Sequence, residues 1–489
     1  MNIRISKTKY LNGLQCKKLL WYIYNEPDAI PEPDEAKQAI FDQGHLVGDY
    51  AKTLFPNGVE VDHTGSFERG LKSTQEFLSQ RVPIFEAALA YKNCYARADI
   101  LEPVGKDKWD LIEVKSSTDI KDINYPDIGF QYYVYSGAGL KINKCYLMCI
   151  DNKYVRKGDI APKKIFKKID ITEEIKKTYS KMIEGNVEEM IKAIGSETYI
   201  EIGIGPHCSD PYECPLTAQC WSFLPERNVC LLYSNNKLPM TLIRDGILEL
   251  AKIPEDYELN KKHQIQVDCE KSGNPYIDSK KLKEFLDTIQ YPAYYMDFET
   301  CGSVIPPFDN SSPYQQIPFQ FSVHVVQKKG AKPEHFSFLA DGTNDPRPEF
   351  MARLKDVMGT KGSVIAYNAG FETGILRKCA EVLPQYKNWV ESINERMIDL
   401  LQPFRAFAYY HPAQDGSCSI KNVLPAMTGK SYDDMEIGDG GMASSEYYRI
   451  TFTEDNKDKD KVRKYLEEYC GQDTMGMVNI VNKLYSFTK

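Results

Sequence analysis

The feature that most constrains this chain is an apolar strand that ends in two carboxylates. The segment YYMDFET places Asp297 and Glu299 two positions apart after a run of aromatic and apolar residues. Side chains two apart on a strand face the same side of a sheet. Two carboxylates that face one way are suited to binding a divalent cation through hard oxygen ligands. The segment therefore predicts an apolar strand with a metal-chelating pair at its end.

Two later segments supply further acidic groups. SVIAYNAGFETGIL predicts a strand, a turn with Asn368 and Gly370, and a helix start that carries Glu372. The last segment, KYLEEYCGQDTMGMVNIVNKLY, predicts a long helix on which Tyr469 and Asp473 share a face because they are four residues apart. Closely packed carboxylates repel one another, so a cluster of four is stable only with bound cations. Two metal ions about 3.5–4 Å apart would suit phosphodiester hydrolysis.

A second group of charges lies in the first half of the chain. ARADIL and KWDLIEVKSST predict two strands around the turn PVGKDK, with Glu113 and Lys115 on one face and Asp99 opposite them across the hairpin. Two carboxylates can hold a metal, and a lysine can polarise the attacking water. Taken alone, the short EVK string favours a surface ion pair on an edge strand. Downstream, Gln131 and Tyr135 are four apart and share one helical face.

Four cysteines form a third pattern. GPHCSDPYECPLTAQCW places Cys208, Cys214 and Cys220 with five residues between neighbours, and Cys16 lies near the N-terminus. Four thiolates can hold a [4Fe–4S] cluster or a zinc ion. Common zinc knuckles have tighter pairs, so the wide spacing disfavours them. Because 13 cysteines in 489 residues are too sparse for a disulfide scaffold, the sequence indicates free thiols and a metal or cluster site.

The order of motifs in the first half resembles the RecB-like branch of the PD-(D/E)XK nucleases. That family places a histidine on an early helix, then Asp, then Glu-x-Lys on paired strands, then a Gln-x-x-x-Tyr helix. The resemblance implies metal ligands, a catalytic lysine and two residues that support the site: Asp99, Glu113 and His45 as ligands, Lys115 as the lysine, and Gln131 and Tyr135 as support. Taken alone, His45 is more often a structural histidine than a ligand.

The cysteines resemble those of RecB-like nucleases that carry iron–sulfur clusters, including nucleases of CRISPR adaptation and helicase–nucleases. These have one cysteine before the nuclease core and three after it, as Cys16 and the later triplet are arranged here. The first gap within the triplet is longer than is common in that family. The resemblance implies a cluster that ties the first helix to the end of the domain, with zinc as the alternative.

The second half resembles the DnaQ-like exonucleases of DEDDy pattern. Their motifs read Asp-x-Glu, Asn-x-x-Phe-Asp and Tyr-x-x-x-Asp. Glu372 stands where the second motif has an aspartate, which moves the carboxylate by about one bond, roughly 1.5 Å. The resemblance implies an RNase H-like domain with a mixed sheet, cleavage from 3′ ends, and a water-positioning role for Tyr469. Asp399 is interpreted as support and not as a ligand.

These patterns predict an α/β protein with three regions. Residues 1–225 are expected to form a restriction-endonuclease-like PD-(D/E)XK core with the four cysteines, and residues 226–285 a connecting segment. Residues 286–489 are expected to form the RNase H-like (DnaQ-type) exonuclease domain. The chain is also similar to an uncharacterised bacterial family defined as a domain of unknown function.

The expected function is metal-dependent hydrolysis of nucleic-acid phosphodiesters at two sites, each with Mg²⁺ or Mn²⁺, including 3′–5′ exonuclease activity on single-stranded DNA or RNA ends. The alternative is a nucleic-acid-binding or assembly factor in which one or both sites are inactive. The net charge of −8 argues against a protein that coats nucleic acid. With no apolar run of about 18 residues and no hydrophobic signal region at the start, we expect a cytoplasmic protein without membrane partners.

Overall fold

The chain forms two compact units. The computed structural model describes residues 3–32, 35–64, 66–234 and 237–488. Unit 1 comprises Met1–Phe223 and Val304–Tyr314, and unit 2 comprises Leu224–Ser303 and Gln315–Lys489. Both units combine helices with β-sheets, which confirms the expected α/β class. The predicted connecting segment, 226–285, falls within unit 2.

Unit 1 is built on a seven-stranded sheet of mixed direction. Its strands are β1 Ile5–Ser6, β2 Val59–Glu60, β3 Ile84–Tyr91, β4 Cys94–Val104, β5 Lys108–Lys115, β6 Lys141–Ile150 and β7 Phe166–Asp170. Six of them follow the order β2-β3-β4-β5-β6-β7, and β1 pairs with β4. The predicted hairpin is β4–β5, in which Ile100 pairs with Ile112. Beside it, β6 runs parallel to β5.

Nine helices accompany this sheet in the part of unit 1 that the structure describes. They are α1 Lys7–Gln15, α2 Lys17–Asn25, α3 Glu35–Lys52, α4 Phe67–Gln80, α5 Asn124–Gly137, α6 Pro162–Ile165, α7 Thr172–Glu174, α8 Ser180–Ile194 and α9 Thr217–Cys220. Helix α5 is buried along Ile128, Phe130 and Val134, which pack with strand residues such as Leu111 and Leu147 in one apolar core. That packing fixes the helix against the carboxylates of β5.

Unit 2 contains a five-stranded sheet with the order β11-β10-β9-β12-β13. The strands of the unit are β8 Tyr276–Ile277, β9 Ala293–Cys301, β10 Ile317–Val326, β11 Glu334–Leu339, β12 Val364–Ala366, β13 Met397–Asp399 and β14 Tyr409–Tyr410. The first three strands of this sheet are antiparallel neighbours, whereas β9, β12 and β13 run parallel. Strand β10 is buried at every position, so it lies in the interior of the unit.

The helices of unit 2 cover the sheet. They are α10 Lys237–Arg244, α11 Lys261–Ser272, α12 Ser279–Leu286, α13 Arg347–Val357, α14 Gly370–Val382, α15 Lys387–Asn394, α16 Gln402–Arg405, α17 Ile420–Thr428, α18 Gly440–Phe452 and α19 Lys459–Ser486. Helix α19 packs on β9 and β10. It buries Leu466, Met477, Ile480 and Leu484 at intervals typical of one helical face.

The segment before β9 has a small apolar core of its own. Val229, Leu232, Leu242, Leu250 and Val267 are buried together there. Across the described residues, no helix combines the length and apolarity needed to cross a membrane.

Candidate functional site

Three elements of unit 2 bring four carboxylates together, and we call this group the acidic centre: Asp297, Glu299, Glu372 and Asp473. Asp297 and Glu299 lie on β9, Glu372 lies in the first turn of α14, and Asp473 lies on α19. Their charges interact, since Asp473, Glu299 and Glu372 each contribute to the raised pKa of Asp297. The structure thus gathers the four acids that the sequence singled out.

The turn before α14 explains how Glu372 reaches this group. Strand β12 ends at Ala366, and Asn368 then adopts a left-handed conformation with φ of 72°. Asp399 holds the turn, because its Oδ1 accepts hydrogen bonds from the backbone N–H groups of Asn368 at 2.9 Å and Leu401 at 3.0 Å. Oδ1 of Asp399 is therefore occupied with backbone contacts, and the supporting role of this residue stays a prediction.

The acidic centre is largely removed from water. Glu299, Glu372 and Asp473 are 6%, 2% and 6% exposed. Oε2 of Glu372 is buried and accepts no hydrogen bond from the described residues. The tightest cluster of ligand atoms joins Asp297, Glu299 and Cys470, all within 4.8 Å of one another. Glu372 and Asp473 lie outside that cluster, although their charges act on Asp297.

Burial and mutual repulsion suppress ionisation in the acidic centre. Burial, followed by repulsion from Asp473, raises the pKa of Glu299 to about 8. Burial raises the pKa of Glu372 to about 8 as well. The pKa of Asp473 rises only to about 6, because hydrogen bonds from tyrosines and the nearby charge of Lys421 oppose the effect of burial. Without a cation, this centre retains protons near neutral pH.

Two residues of the centre carried no signal in the sequence. Tyr432 donates a hydrogen bond of 2.6 Å to Oδ1 of Asp473. Lys421 places its Nζ 5.2 Å from the centre of the Tyr469 ring and donates to the carbonyl of Gly438 at 2.5 Å. Both lie between the second and third acidic motifs, without regular spacing to either, so no periodicity argument could have found them.

A cavity of about 450 Å³ adjoins the acidic centre. Asp297 and Asp473 line it together with Arg405, Tyr233 and Tyr367. Acidic, basic and aromatic groups thus face one space. Tyr233 comes from the segment predicted to be a connection.

Unit 1 contains a second charged group, which we call the lysine-paired centre: Asp99, Glu113, Lys115, Asp127 and Lys7. Lys7 and Lys115 both donate to Oε1 of Glu113, at 2.7 and 2.6 Å. Lys115 also donates to Oδ2 of Asp127 at 2.7 Å. Oδ2 of Asp99 accepts from the backbone N–H of Val114 at 2.7 Å. The three predicted charges are therefore together, joined by two that were not predicted.

The two lysines decide the ionisation of this centre. Burial alone would raise the pKa of Glu113, but the ammonium groups of Lys115 and Lys7 lower it to about 2. Asp99 has no direct lysine bond, and burial with repulsion from Glu113 raises its pKa to about 7. Glu113 is thus a charged, fully paired acid, whereas Asp99 titrates near neutrality.

The remaining predicted residues of unit 1 occupy different places. Nε2 of Gln131 donates to Glu113 at 2.6 Å and to Asp127 at 3.0 Å. Tyr135 accepts from the N–H of Ala98 and donates to a carbonyl of β3, so it braces the sheet. His45 lies exposed on α3, and its imidazole does not form a ligand group within 4.8 Å with Asp99 and Glu113.

Asp127 could have been found from the sequence, because it lies four residues before Gln131 and so shares its helical face. Lys7 could not, since it precedes Glu113 by 106 residues and its motif, SKTKY, is ordinary.

The four predicted cysteines line one cavity in unit 1, which we call the cysteine cavity: Cys16, Cys208, Cys214 and Cys220. Each is a free thiol. The loop is fixed to the first helix, because Nε2 of Gln15 donates to the carbonyls of His207 at 2.8 Å and Tyr212 at 2.6 Å. Within the described residues, no three of these sulfur atoms lie within 4.8 Å of one another.

One protein-family model matches part of unit 2. Residues 294–419 match the model of a family described as a domain of unknown function (DUF2779). The match includes Asp297, Glu299 and Glu372 and ends before Tyr469 and Asp473. It supports an uncharacterised domain family.

A curated relative gives a similar result. The chain is 26% identical over 232 residues to the uncharacterized protein MG366 of Mycoplasma genitalium, covering 43% of this chain and 34% of that protein. The chain thus spans about a third of the length of that relative. Neither description names an activity.

The raised pKa values predict how pH changes the stability of the metal-free protein. Glu299 and Glu372 titrate near 8 when folded and near 4.3 when unfolded. Their contribution to the free energy of unfolding is complete below about pH 4 and is lost as pH rises towards 8. We expect α19 to exchange its amide hydrogens faster as pH rises through this range, after correction for intrinsic rates, and Mn²⁺ to restore protection.

The variant Glu299→Gln tests whether burial and repulsion of this carboxylate cause the loss of stability at high pH. In chelator-treated protein at pH 8, Glu299→Gln should raise the free energy of unfolding of unit 2 by at least about 1 kcal/mol. The matched control is Glu468→Gln, an exposed acid on α19, which should change it by less than about 0.5 kcal/mol. Equal effects of the two variants would contradict the proposed repulsion.

Proposed function

We propose that the protein is a metal-dependent nuclease whose acidic centre degrades nucleic-acid strands from their 3′ ends. The observation that carries this proposal is the convergence of four carboxylates, three of them buried and Asp297 partly exposed, from β9, α14 and α19 on one centre beside a cavity. Such a cluster has raised pKa values and a buried oxygen without a partner, and divalent cations relieve both conditions.

The residues present fit a pair of Mg²⁺ or Mn²⁺ ions. All four acids supply the hard oxygen ligands that these ions prefer. Burial first, and then the charges of the other three acids, raise the pKa of Asp297, so all four acids act within one group. When bound, such ions supply Lewis-acid stabilisation to a phosphodiester undergoing hydrolysis.

The surrounding side chains have distinct tasks. Tyr432 holds one oxygen of Asp473 and so fixes the direction in which the other oxygen points. Tyr469 is 3% exposed and its phenol hydrogen-bonds to Asp473, so it would orient the attacking water beside that carboxylate. Lys421 contributes positive charge beside Glu299 and Asp473. These groups would position water and carboxylates before a strand arrives.

The adjoining cavity supports a strand end as the substrate. Its guanidinium, Arg405, suits a phosphate group, and Tyr233 and Tyr367 offer aromatic rings that can stack on bases. A volume of about 450 Å³ is of the size that small-molecule sites have, and it suits a terminal nucleotide.

For unit 1 we propose a RecB-like nuclease module, with Asp99 and Glu113 as its metal ligands and Lys115 as its catalytic lysine. One observation favours a second candidate function for this unit. Both oxygens of Glu113 are engaged by Lys7, Lys115 and Gln131, so a metal would have to displace Lys7. This pairing favours the alternative in which the site of unit 1 is inactive and the protein acts as a nucleic-acid-binding or assembly factor.

We propose that the cysteine cavity holds a [4Fe–4S] cluster. Four sulfurs on a single zinc ion would lie about 3.8 Å apart, because Zn–S bonds are about 2.3 Å and the geometry is tetrahedral. The sulfurs here are more widely spread than 4.8 Å in every set of three. That spread favours a larger polynuclear cluster over one zinc ion.

The nuclease proposal predicts separable losses of activity. With end-labelled single-stranded DNA and RNA and Mg²⁺ or Mn²⁺, Asp297→Asn should reduce 3′-end degradation by at least about 100-fold, because it removes the central ligand. Lys115→Ala should remove a different cleavage pattern if unit 1 is catalytic, and leave it unchanged if unit 1 only binds. The control is Asp434→Asn, at an exposed acid in the same unit.

Product ladders identical to those of the wild-type protein in both Asp297→Asn and Lys115→Ala would reject both sites as enzymes.

The cluster proposal predicts colour and iron. Protein purified without oxygen should be brown, with broad visible absorbance and about four iron atoms per chain. Cys214→Ser should bleach it and destabilise unit 1, whereas Cys230→Ser, at a half-buried thiol of unit 2, should do neither. Colourless protein with stoichiometric zinc would contradict the proposal.

A further inference from the structure

One residue beside the acidic centre has chemistry that the four carboxylates lack. Cys470 is fully buried on α19, one position after Tyr469. Its Sγ lies 3.7 Å from Oδ2 of Asp297 and 3.9 Å from the backbone oxygen of the same residue. One position along a helix is a rotation of about 100°, so the thiol points towards β9 in a direction different from that of the Tyr469 ring.

The thiol belongs to the tightest set of ligand atoms in the described chain. Within that set, oxygen atoms of Asp297 and Glu299 and the sulfur of Cys470 all lie within 4.8 Å of one another. A fourth group acts on the same place, since the charge of Glu372 raises the pKa values of both carboxylates. Oε2 of Glu372 is buried without a partner. A cation here would therefore receive two carboxylate oxygens and one sulfur as ligands.

The spacing suits a small tetrahedral ion. With Zn–S near 2.3 Å and Zn–O near 2.0–2.2 Å, sulfur and oxygen ligands of one tetrahedral zinc ion lie about 3.6 Å apart. Oδ2 of Asp297 and Sγ of Cys470 are 3.7 Å apart. Mg²⁺ binds oxygen and rarely sulfur, whereas thiolates favour softer ions such as Zn²⁺.

We propose that Cys470 is a metal ligand and that Asp297, Glu299 and Cys470 form a site for a thiophilic divalent cation such as Zn²⁺. A second position, held by Asp297 and Asp473, would offer oxygen ligands alone and would suit Mg²⁺ or Mn²⁺. Binding of the soft cation displaces the thiol proton into solvent. The inference deepens the proposed function by naming the metal at one position of the same centre.

The test uses Cd²⁺ as a thiophilic probe, in full-length protein prepared without oxygen and treated with chelator. Cd²⁺ bound to a thiolate gives an ultraviolet charge-transfer band, which requires no enzymatic activity. Because the four cysteines of unit 1 also bind Cd²⁺, the measured quantity is the difference between each variant and the wild-type protein. Cys470→Ser should lose one thiolate contribution to the band and lower Cd²⁺ affinity by at least about 10-fold. Mg²⁺ affinity should change by less than about twofold.

Two further variants serve as a control for nonspecific thiol loss and as a second test of the ligand set. Cys379→Ser removes another buried thiol of unit 2, away from the acidic centre, and should leave the Cd²⁺ band unchanged apart from nonspecific losses. Glu299→Gln keeps the thiol and removes an oxygen ligand, so it should weaken the same band even where Cys470→Ser fails to fold. A wild-type spectrum and Cd²⁺ affinity in folded Cys470→Ser would overturn the proposal and leave the thiol as a hydrogen-bond donor to Asp297.

The result also separates this inference from the nuclease proposal. A thiolate band that depends on Cys470 and Glu299 supports the ligand assignment, whether or not nucleic acid is cleaved. Strand degradation by a protein that lacks the Cys470-dependent band supports the nuclease and rejects the thiolate ligand.

Discussion

Repulsion among buried carboxylates is the constraint on which the architecture of unit 2 depends. Strand β9 carries two acids into the interior, and α19 brings a third against it. The apolar face of α19 and the buried strand β10 hold these elements together despite the charge. Packing therefore maintains an arrangement in which the carboxylates repel one another, and burial with this repulsion keeps the centre protonated near neutral pH.

In the two charged centres, the pKa of a buried glutamate is shifted in opposite directions. In unit 1, Lys7 and Lys115 pair with Glu113, and its pKa falls to about 2. In unit 2, Lys421 lies near the carboxylates, yet the pKa of Glu299 still rises to about 8. The first centre is satisfied by the protein itself, whereas the second has charge left to neutralise. This contrast is why the proposed function rests on unit 2.

The parts of these sites that the sequence predicted are those with local periodicity. Asp297 and Glu299 are two apart on a strand, and Tyr469 and Asp473 are four apart on a helix, so their faces followed from geometry alone. Lys7, Tyr432 and Lys421 reach their partners only through tertiary packing, and no spacing marks them. Cys470 stands beside a predicted residue and was passed over, because a cysteine on a buried helix face normally indicates packing.

Residues 226–285, before β9, show a second reason why part of the site could not be predicted from the sequence. Their polar, broken sequence predicted a connection, because short apolar stretches separated by turns give no long periodic signal. Residues such as Val229 and Leu242 nevertheless form a small core, and Tyr233 lines the cavity beside Asp297. Single residues at irregular intervals can line a site when the rest of the same unit supplies the packing.

The most direct test of the account is anomalous scattering from crystals of the full chain grown with Mn²⁺. We expect an anomalous peak within bonding distance of the Asp297 carboxylate, with Glu299 or Asp473 as a further ligand. Saturating Mn²⁺ with no peak at these carboxylates, in crystals where the four side chains are well ordered, would contradict it.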